Sequence, residues 1–317
     1  MTTTLIHRSN SSFLLPPAIE CMGEDAAKAF IDFFAAQIRN PNTRAAYFRN
    51  VRRFLTWVEA SGLRLQDIEP YHVATFIEQI GGRFAAPTVK QHLAALRMLG
   101  AFLVVRQVIA KNPAADVRGP AHVVTVGKTP VLTGADARGL FESIDIGTPA
   151  GLRDRALLGV MVYTFARVSA VTGLDVPDYY QAGRRMIIRL TEKGGRHHEM
   201  PAHHTAIEYL DAYLAVLGMG EGPLFRTINR RRNGYTARRI DRREVLAMVK
   251  RRCRAAGLGD RFSNHTFRAT GITAYLKNGG LLEHAQAMAA HASPTTTKLY
   301  DRRAQEASLD EVERIIL

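Results

Sequence analysis

The sequence predicts a mainly α-helical protein with a small β-sheet, built from two domains. Apolar residues recur at helical spacing along most of the chain, whereas residues 185–200 show a strand–turn–strand pattern. The length of 317 residues suits about two domains at roughly 100–200 residues each. Hydrophobic residues make up 46% of the chain, which excludes a disordered protein because disorder goes with low hydrophobicity.

The first 115 residues predict a flexible arm followed by a four-helix domain. Residues 1–23 are polar and are interrupted by Pro16 and Pro17, so we expect a flexible arm there. The pattern from 24 to 115 is helical, and it predicts helices at 25–38, 43–60, 73–80 and 88–105. The second of these has a single apolar stripe, formed by Tyr47, Val51, Phe54, Leu55 and Val58.

Residues 116–130 are rich in Pro and Gly and predict a linker to a second domain at 131–303. In this domain we expect helices at 133–144, 153–170, 205–217, 241–256, 265–277 and 281–289. Residues 185–190 and 198–200 predict two strands. A C-terminal tail at 304–317 carries Leu309, Val312 and Ile316 at the spacing of a short amphipathic helix.

The chain is strongly basic, with a formal net charge of +14 and a pI of about 10.2. Residues 226–254 contain twelve Lys or Arg against two acids, a surplus of ten positive charges. A solvated helix face normally mixes both signs, so this run favours contact with a phosphate backbone through counterion release. The alternatives are a basic surface that only aids solubility and a disordered basic loop.

Several classes of protein are disfavoured by composition. Cys21 and Cys253 cannot form a disulfide framework or a four-thiolate zinc site. The histidines near residue 200 are His197, His198, His203 and His204. Their spacing matches no common zinc site, so no metal is expected. No apolar run reaches the ~18 residues of a membrane span, and the N-terminus lacks the pattern of a signal peptide. We expect a cytoplasmic protein without a membrane partner.

The residues most informative about chemistry lie between 165 and 300. His265 and Arg268 stand three residues apart at the start of a predicted helix, where backbone N–H groups would help the pair to bind an anion. His291 is followed nine residues later by Tyr300, with threonines between them. One arginine and one lysine precede these residues. We call the ordered group the catalytic set; it comprises Arg167, Lys193, His265, Arg268, His291 and Tyr300.

The catalytic set resembles that of the tyrosine recombinases, or phage integrases, and the resemblance covers nearly the whole chain. It implies a helical, SAM-like core-binding domain at 24–115 and a mixed α/β catalytic domain from residue 131. It also implies site-specific recombination, in which DNA is cut and rejoined through a 3′-phosphotyrosyl link without a metal, ATP or any other cofactor.

By this resemblance Tyr300 would be the nucleophile, and Arg167 and Arg268 would hold the scissile phosphate. Two guanidinium groups would neutralise the phosphodiester and stabilise the charge that builds on pentavalent phosphorus, as Mg²⁺ does elsewhere. A tyrosine, with a pKa near ~10, is a weak nucleophile until it loses its proton. The alternative for Arg167 is a cation at the C-terminus of its helix.

The resemblance implies that Lys193 protonates the leaving 5′-oxygen and that His265 and His291 transfer protons and hydrogen-bond in the pocket. Cationic neighbours would lower the pKa of the lysine. Each residue has a structural alternative. Lys193 would be a solvated lysine on a turn, His265 would cap its helix, and His291 would be a core histidine with its hydrogen bonds satisfied.

Three positions depart from the family pattern. Ala170 stands where the family often has an acid, three residues after the first arginine. Ala269 replaces a second histidine after His-x-x-Arg, and Ala290 replaces a glycine before the late histidine. All six residue types of the catalytic set remain, so we expect activity, with a rate or a dependence on an accessory protein that reflects these losses.

The resemblance also implies partners. Only about 23 residues precede the core-binding domain, so the chain is similar to two-domain members without an arm-binding domain. Double-stranded DNA would be clamped between the domains, and four protomers would exchange strands on two sites through a Holliday junction. The tail residues Leu309, Val312 and Ile316 would dock on a neighbouring protomer; the alternative is packing on their own domain. The protein would be cytoplasmic and associated with the nucleoid.

Ten basic residues are candidates for contact with DNA, as phosphate-positioning or base-reading groups. In the first domain they are Arg44, Arg52, Arg53, Lys90 and Arg97. In the second domain they are Arg230, Arg231, Arg238, Arg239 and Arg242.

Three other functions stay open on sequence alone. A type IB topoisomerase resembles the same set and relaxes DNA as a monomer, but the amphipathic tail favours recombination. A DNA-binding regulator that lost catalysis is favoured by the alanine departures and opposed by the complete set. A generic basic RNA-binding protein would not need this ordered set.

Overall fold

The computed structural model describes residues 15–301 except 123, 125, 126, 193, 194 and 219. The chain divides into two compact units, residues 1–123 and 124–317, and the division falls inside the predicted linker. Helices dominate both units, and all strands of the described residues lie in the second. The predicted fold class, mainly α-helical with a small sheet, is therefore confirmed.

The first unit is a helical bundle. Its helices are α1 (Pro17–Glu20), α2 (Glu24–Asp32), α3 (Pro41–Ala60), α4 (Pro70–Gly81) and α5 (Ala86–Val105). Proline in the first turn of α3, α4 and α5 supports these starts, because the N–H that proline lacks has no partner within the helix there. The helix predicted at 25–38 is interrupted, since α2 ends at Asp32 and a π-helical turn follows at Phe33–Gln37.

Part of the arm predicted at 1–23 is helical in the structure. Residues 17–20 form α1, whose Ala18 and Ile19 are buried in the core of the bundle. The backbone N–H of Ala18 also donates to the Glu59 carboxylate on α3 at 3.0 Å. Proline at the first helical position and an apolar pair behind it account for this short helix. Residues 1–14 lie outside the described part of the chain.

Helix α5 has the length and apolar composition of a membrane span. Many of its apolar side chains lie instead in the core of the bundle, and Lys90 and Arg97 occupy its exposed face. The buried apolar residues are Val89, Leu93, Ala95, Leu96, Leu99 and Leu103. This arrangement is that of the central helix of a helical bundle.

The second unit combines helices with two small antiparallel sheets. Its helices are α6 (Gly134–Glu142), α7 (Pro149–Tyr163), α8 (Val168–Gly173), α9 (His204–Leu217), α10 (Arg242–Ala255), α11 (Asn264–Lys277), α12 (Leu282–Met288) and α13 (Pro294–Lys298). One sheet has the order β1 (Tyr179–Ala182), β2 (Arg185–Glu192), β3 (Arg196–Pro201), and the other pairs β4 (Arg226–Ile228) with β5 (Tyr235–Arg239). The two predicted strands thus pair as β2 and β3, with Leu190 opposite His198.

Helix α7 lies at the centre of the second unit, packed against α9 and α11. Apart from Arg153, Asp154 and Arg155 its residues are apolar or small, as expected for a helix surrounded by others. One charged residue, Asp154, is fully buried there, and it pairs with Arg153 at 2.6 Å and Arg252 at 2.8 Å. Arg251 approaches the same carboxylate at 3.3 Å, so Asp154 joins α7 to α10.

The single helix predicted at 153–170 is wrong, because α7 ends at Tyr163 and α8 begins at Val168. Phe165, within the intervening turn, has a φ of +55°, a conformation that a non-glycine residue rarely adopts. The turn contains neither Gly nor Pro, and it is held by the Arg268 guanidinium, which donates to the carbonyl of Phe165. Long-range contact, which local pattern does not reveal, therefore ends the helix.

Candidate active site

Five members of the catalytic set lie in described segments of the second unit. Arg167 immediately precedes α8, His265 and Arg268 lie near the start of α11, and His291 and Tyr300 flank α13. The α7–α8 turn, the start of α11 and the C-terminal segment meet, because the guanidinium of Arg268 donates to backbone carbonyls in the first and the last of them. The geometry therefore brings this part of the set together.

Arg268 is the buried centre of the site, with a side chain only 2% exposed. Its guanidinium donates to the carbonyls of Phe165 and Ala289, the latter at 2.6 Å. The Tyr300 side chain lies close enough to the same guanidinium to interact with it electrostatically. Burial and then the charge of Arg167 lower the pKa of Arg268 to about 10. Arg268 is thus still a cation at neutral pH, fixed beside a tyrosine.

Arg167 occupies the N-cap position of α8, so it is not a cation at a helix C-terminus and that alternative is excluded. Its side chain is 28% exposed, and Nη1 donates to the carboxylate of Glu192, the last residue of β2. Glu192 is buried and also lies 4.0 Å from Nη1 of Arg268. Sequence reasoning treated Glu192 only as a turn residue; the available signal was an acid directly before a lysine of the set.

His291 is buried against the tyrosine. Its ring stacks on that of Tyr300, with centroids 5.8 Å apart and planes 10° from parallel. Nδ1 lies 2.9 Å from Oγ1 of Thr297, a buried residue that sequence reasoning did not single out. Burial, followed by the charges of Arg268 and Arg167, lowers the pKa of His291 to about 4. The imidazole is therefore neutral at physiological pH.

His265 stands at the exposed rim of the same cluster. Partial desolvation lowers its pKa, and the charges of Arg268 and Arg167 lower it further. Ser263 is the N-cap of α11 and forms a capping box with Thr266. The alternative that His265 caps its own helix is therefore excluded, and its imidazole remains available to a ligand.

The backbone around Tyr300 is held by two distant segments. Thr273 Oγ1 on α11 donates to the carbonyl of Tyr300 at 3.2 Å. The N–H of Gly127 donates to the carbonyl of Leu299 at 3.0 Å, and a Cβ at Gly127 would lie 2.4 Å from that oxygen. Glycine is thus required for this close approach between the predicted linker and the tyrosine segment.

Other members of the predicted site fall outside the described residues. Lys193 is one of them, although the preceding Glu192 contacts Arg167. The tail residues Leu309, Val312 and Ile316 also lie outside the described part. Within the described residues no group of three or more His, Cys, Asp or Glu could hold a metal ion.

Some arginines predicted to contact DNA also have hydrogen-bond partners within the protein. Arg44 donates to the carbonyl of Ile38 at 3.0 Å. Arg97 donates to the carbonyls of Ala114 and Val117.

The same holds in the second unit. Arg239 donates to the carbonyls of Thr172 and Leu174 and pairs with Asp175. The structure gives Arg44, Arg97 and Arg239 a role in holding the fold.

The remaining predicted contacts are more accessible. Arg53 lies over the Phe84 ring at 4.6 Å and Arg238 pairs with Glu244 at 2.5 Å. Arg52, Lys90, Arg230, Arg231 and Arg242 are exposed. The basic run at 226–254 forms β4, β5 and α10, so the alternative of a disordered basic loop is wrong.

Comparison with known proteins decides the family. The model of the phage integrase family matches residues 130–307, and that of the phage integrase N-terminal SAM-like domain matches residues 28–107. The chain is 30% identical over 274 residues to tyrosine recombinase XerD of Corynebacterium glutamicum, covering 82% of this chain and 86% of the relative. The chain belongs to the phage integrase family of tyrosine recombinases.

Further relatives and solved structures agree with this membership. Tyrosine recombinase XerC of Pelobacter propionicus is 30% identical to this recombinase over 267 residues, covering 82% of this chain and 84% of the relative. A lambda integrase (75–356) dimer bound to a COC′ core site has a TM-score of 0.67 at 18% identity, covering 88% and 95% of the two chains. XerH bound to its difH substrate has a TM-score of 0.61 at 20% identity, covering 84% and 79%.

Family membership confirms the predicted activity class, an enzyme that cleaves and rejoins DNA in site-specific recombination. The matched regions, 28–107 for the SAM-like model and 130–307 for the integrase model, overlap the domains predicted at 24–115 and 131–303. The topoisomerase and regulator alternatives receive no support from these matches.

Proposed function

We propose that Tyr300 is the nucleophile of this recombinase and that it cuts one DNA strand at a specific site. The observation that carries the proposal is the position of the Tyr300 ring, which stacks on buried His291 beside the guanidinium of Arg268. Oη of Tyr300 attacks phosphorus and loses its proton, the P–O5′ bond breaks, and a 3′-phosphotyrosyl ester forms. A 5′-hydroxyl later attacks that ester, releases the tyrosine and joins the strands.

In this proposal Arg167 and Arg268 bind the non-bridging oxygens and stabilise the charge of the pentavalent transition state. His265 is neutral at physiological pH because of its lowered pKa, so it can accept a proton. His291 is fixed through Nδ1 by Thr297, which leaves Nε2 to hydrogen-bond the phosphate. Lys193 protonates the leaving 5′-oxygen, by the resemblance of the catalytic set.

We further propose that four protomers act on two double-stranded DNA sites. The resemblance to a lambda integrase tetramer bound to a Holliday junction, with a TM-score of 0.68 at 19% identity, supports the fold needed for this assembly. Leu309, Val312 and Ile316 dock on a neighbouring protomer, and Arg52, Lys90, Arg230, Arg231 and Arg242 contact DNA. Because its substrate is DNA, the protein acts in the cytoplasm at the nucleoid.

A nicked suicide substrate tests the nucleophile. The DNA carries a site from the region flanking the gene, with a nick that lets the cut fragment diffuse away and traps the covalent complex. We expect a protein–DNA band on a denaturing gel with the wild type and none with Tyr300→Phe.

Tyr275→Phe is the matched control, because Tyr275 lies on α11 with its ring 6.0 Å from that of Phe165. This variant should still give the band. A band that persists in Tyr300→Phe, or none from the wild type on a site that it binds, would overturn the proposal.

A further inference from the structure

We propose that Glu192 is a positioning residue that fixes the guanidinium groups of Arg167 and Arg268 where both can bind the scissile phosphate. The inference rests on the proposed function, since it concerns the same two arginines. It assigns a task in catalysis to a carboxylate outside the catalytic set, at the end of β2.

The first argument is the burial of Glu192. Its side chain is 3% exposed, and a buried carboxylate persists only where cations or hydrogen bonds compensate it. Among the described residues, the two cations that compensate it are arginines of the site: Arg167 donates from Nη1, and Nη1 of Arg268 lies 4.0 Å away. One carboxylate therefore contacts one phosphate-binding arginine and lies close to the other.

The second argument is the backbone contact at the start of α8. Arg167 is the N-cap residue, and Ala170 is the third residue of the helix. An acid at that third position would reach back to the N–H of the N-cap residue. Ala170 has no such group and is buried, but Oε1 of Glu192 accepts from the N–H of Arg167 at 3.4 Å. Glu192 thus replaces, from a strand, an acid missing from the helix.

The third argument is charge. Together Arg167, Arg268 and Glu192 carry a net charge of +1, which matches the single negative charge of a phosphodiester. Glu192 engages Nη1 of Arg167, so Nε and Nη2 of that guanidinium remain to form a bidentate contact with phosphate. Glu192 therefore orients the guanidinium of Arg167 towards the phosphate and limits repulsion between the two guanidinium groups.

The test is single-turnover cleavage of the suicide substrate at saturating protein. We expect Glu192→Gln, which keeps the shape and removes the charge, to cleave up to about 100-fold more slowly, because a misplacement of about 1 Å in a reacting group can cost that much. DNA affinity should stay close to that of the wild type, because the affected step is the alignment of one phosphate. Glu199→Gln is the matched control, since Glu199 pairs with Arg189 at 3.0 Å on the same hairpin but does not contact Arg167 or Arg268.

A second variant separates positioning from a merely structural role. Adding Ala170→Glu to Glu192→Gln returns an acid to the third position of α8, so cleavage should recover, whereas a structural defect in the hairpin would remain. Melting temperatures are compared first, and cleavage is measured below the lowest transition.

The outcomes separate the two proposals. A wild type without a Tyr300-dependent band would refute the proposed function itself. A normal wild type with Glu192→Gln cleaving at the same rate, or with a double variant that folds but is no faster than Glu192→Gln, would refute the role of Glu192 alone.

Discussion

At the scale of single residues, burial beside two guanidinium groups determines the protonation of the histidines in the site. His265 and His291 both have lowered pKa values, with desolvation as the larger cause and the charges of Arg268 and Arg167 as the smaller. Neutral imidazoles accept protons and add no positive charge beside the arginines. The same coupling makes the stability of the second unit depend on pH.

His291 should stabilise the folded protein only while it is neutral. Its pKa is about 4 in the folded state, against an ordinary value of 6.5 for a solvated histidine, so the unfolded state binds the proton more readily. This contribution is complete above pH 6.5 and is lost as the pH falls towards 4. Between about pH 7.5 and pH 5 we expect a loss of about 2 kcal/mol from this group in the free energy of unfolding.

The measurement compares the wild type with His291→Gln, which cannot titrate at this position. Denaturant unfolding followed by circular dichroism reports both units, while fluorescence of Trp57, the single tryptophan, reports the first unit separately. The effects of other titrating groups, including His265, cancel in the comparison. Equal pH dependence of the two proteins would contradict the assignment.

At the scale of elements, periodicity predicted the helices well, because most of them bury one apolar face. It failed at the α7–α8 turn, where mostly apolar residues continue from Ala156 through Ala166 and residues 164–167 contain neither Gly nor Pro. The break depends on Arg268, which lies a hundred residues further along the chain and holds the carbonyl of Phe165. The candidate site was predicted from residue order, but Glu192 and Thr297 required the tertiary contacts.

The strands inside the basic run show the same limit. Arginine-rich residues 226–239 have no strand signal, yet β4 pairs with β5, and Arg226 lies opposite Arg239. Arg226 donates to the carbonyl of Pro223, and Arg239 donates to the carbonyl of Leu174. The partner is local for Arg226 and distant in sequence for Arg239, and both contacts make this part of the basic run a piece of the fold.

The buried ion network between α7 and α10 should be the most sensitive element to substitution. Removing the carboxylate in Asp154→Ala leaves Arg153, itself 6% exposed, with an uncompensated charge. We expect the second unit to lose about 3–5 kcal/mol, the usual cost of breaking a buried pair from one side. Denaturant unfolding measured by circular dichroism checks this value.

Asp260→Ala is the control for this network, because Asp260 also pairs with an arginine of α10, Arg254, at 2.6 Å, but at the surface. Exposed pairs contribute little, so its midpoint should match that of the wild type. Similar losses in both variants would show that burial of Asp154 is not what matters.

At the scale of the whole molecule, the net charge of +14 is a poor guide to the number of cations available to DNA phosphates. In the run at 226–254, Arg238, Arg251, Arg252 and Arg254 form ion pairs with acids of the same unit. The hairpin between β4 and β5 differs, since Arg230, Arg231 and Arg232 are all exposed at its tip. Electrostatic attraction to DNA should therefore be concentrated at this tip.

The salt dependence of DNA binding tests this distribution. The slope of log K against log salt changes by about 0.9 for each phosphate contact removed from duplex DNA. Substituting alanine for Arg230, Arg231 and Arg232 together should reduce the slope by about 2–3, whereas alanine at the paired Arg238 and Arg254 should change it little. Binding is measured on one DNA site at several salt concentrations, with melting temperatures confirming that both variants are folded. An equal change of slope in the two variants would contradict this distribution. Arginines in ion pairs would then contact DNA phosphates as readily as the exposed arginines at the tip.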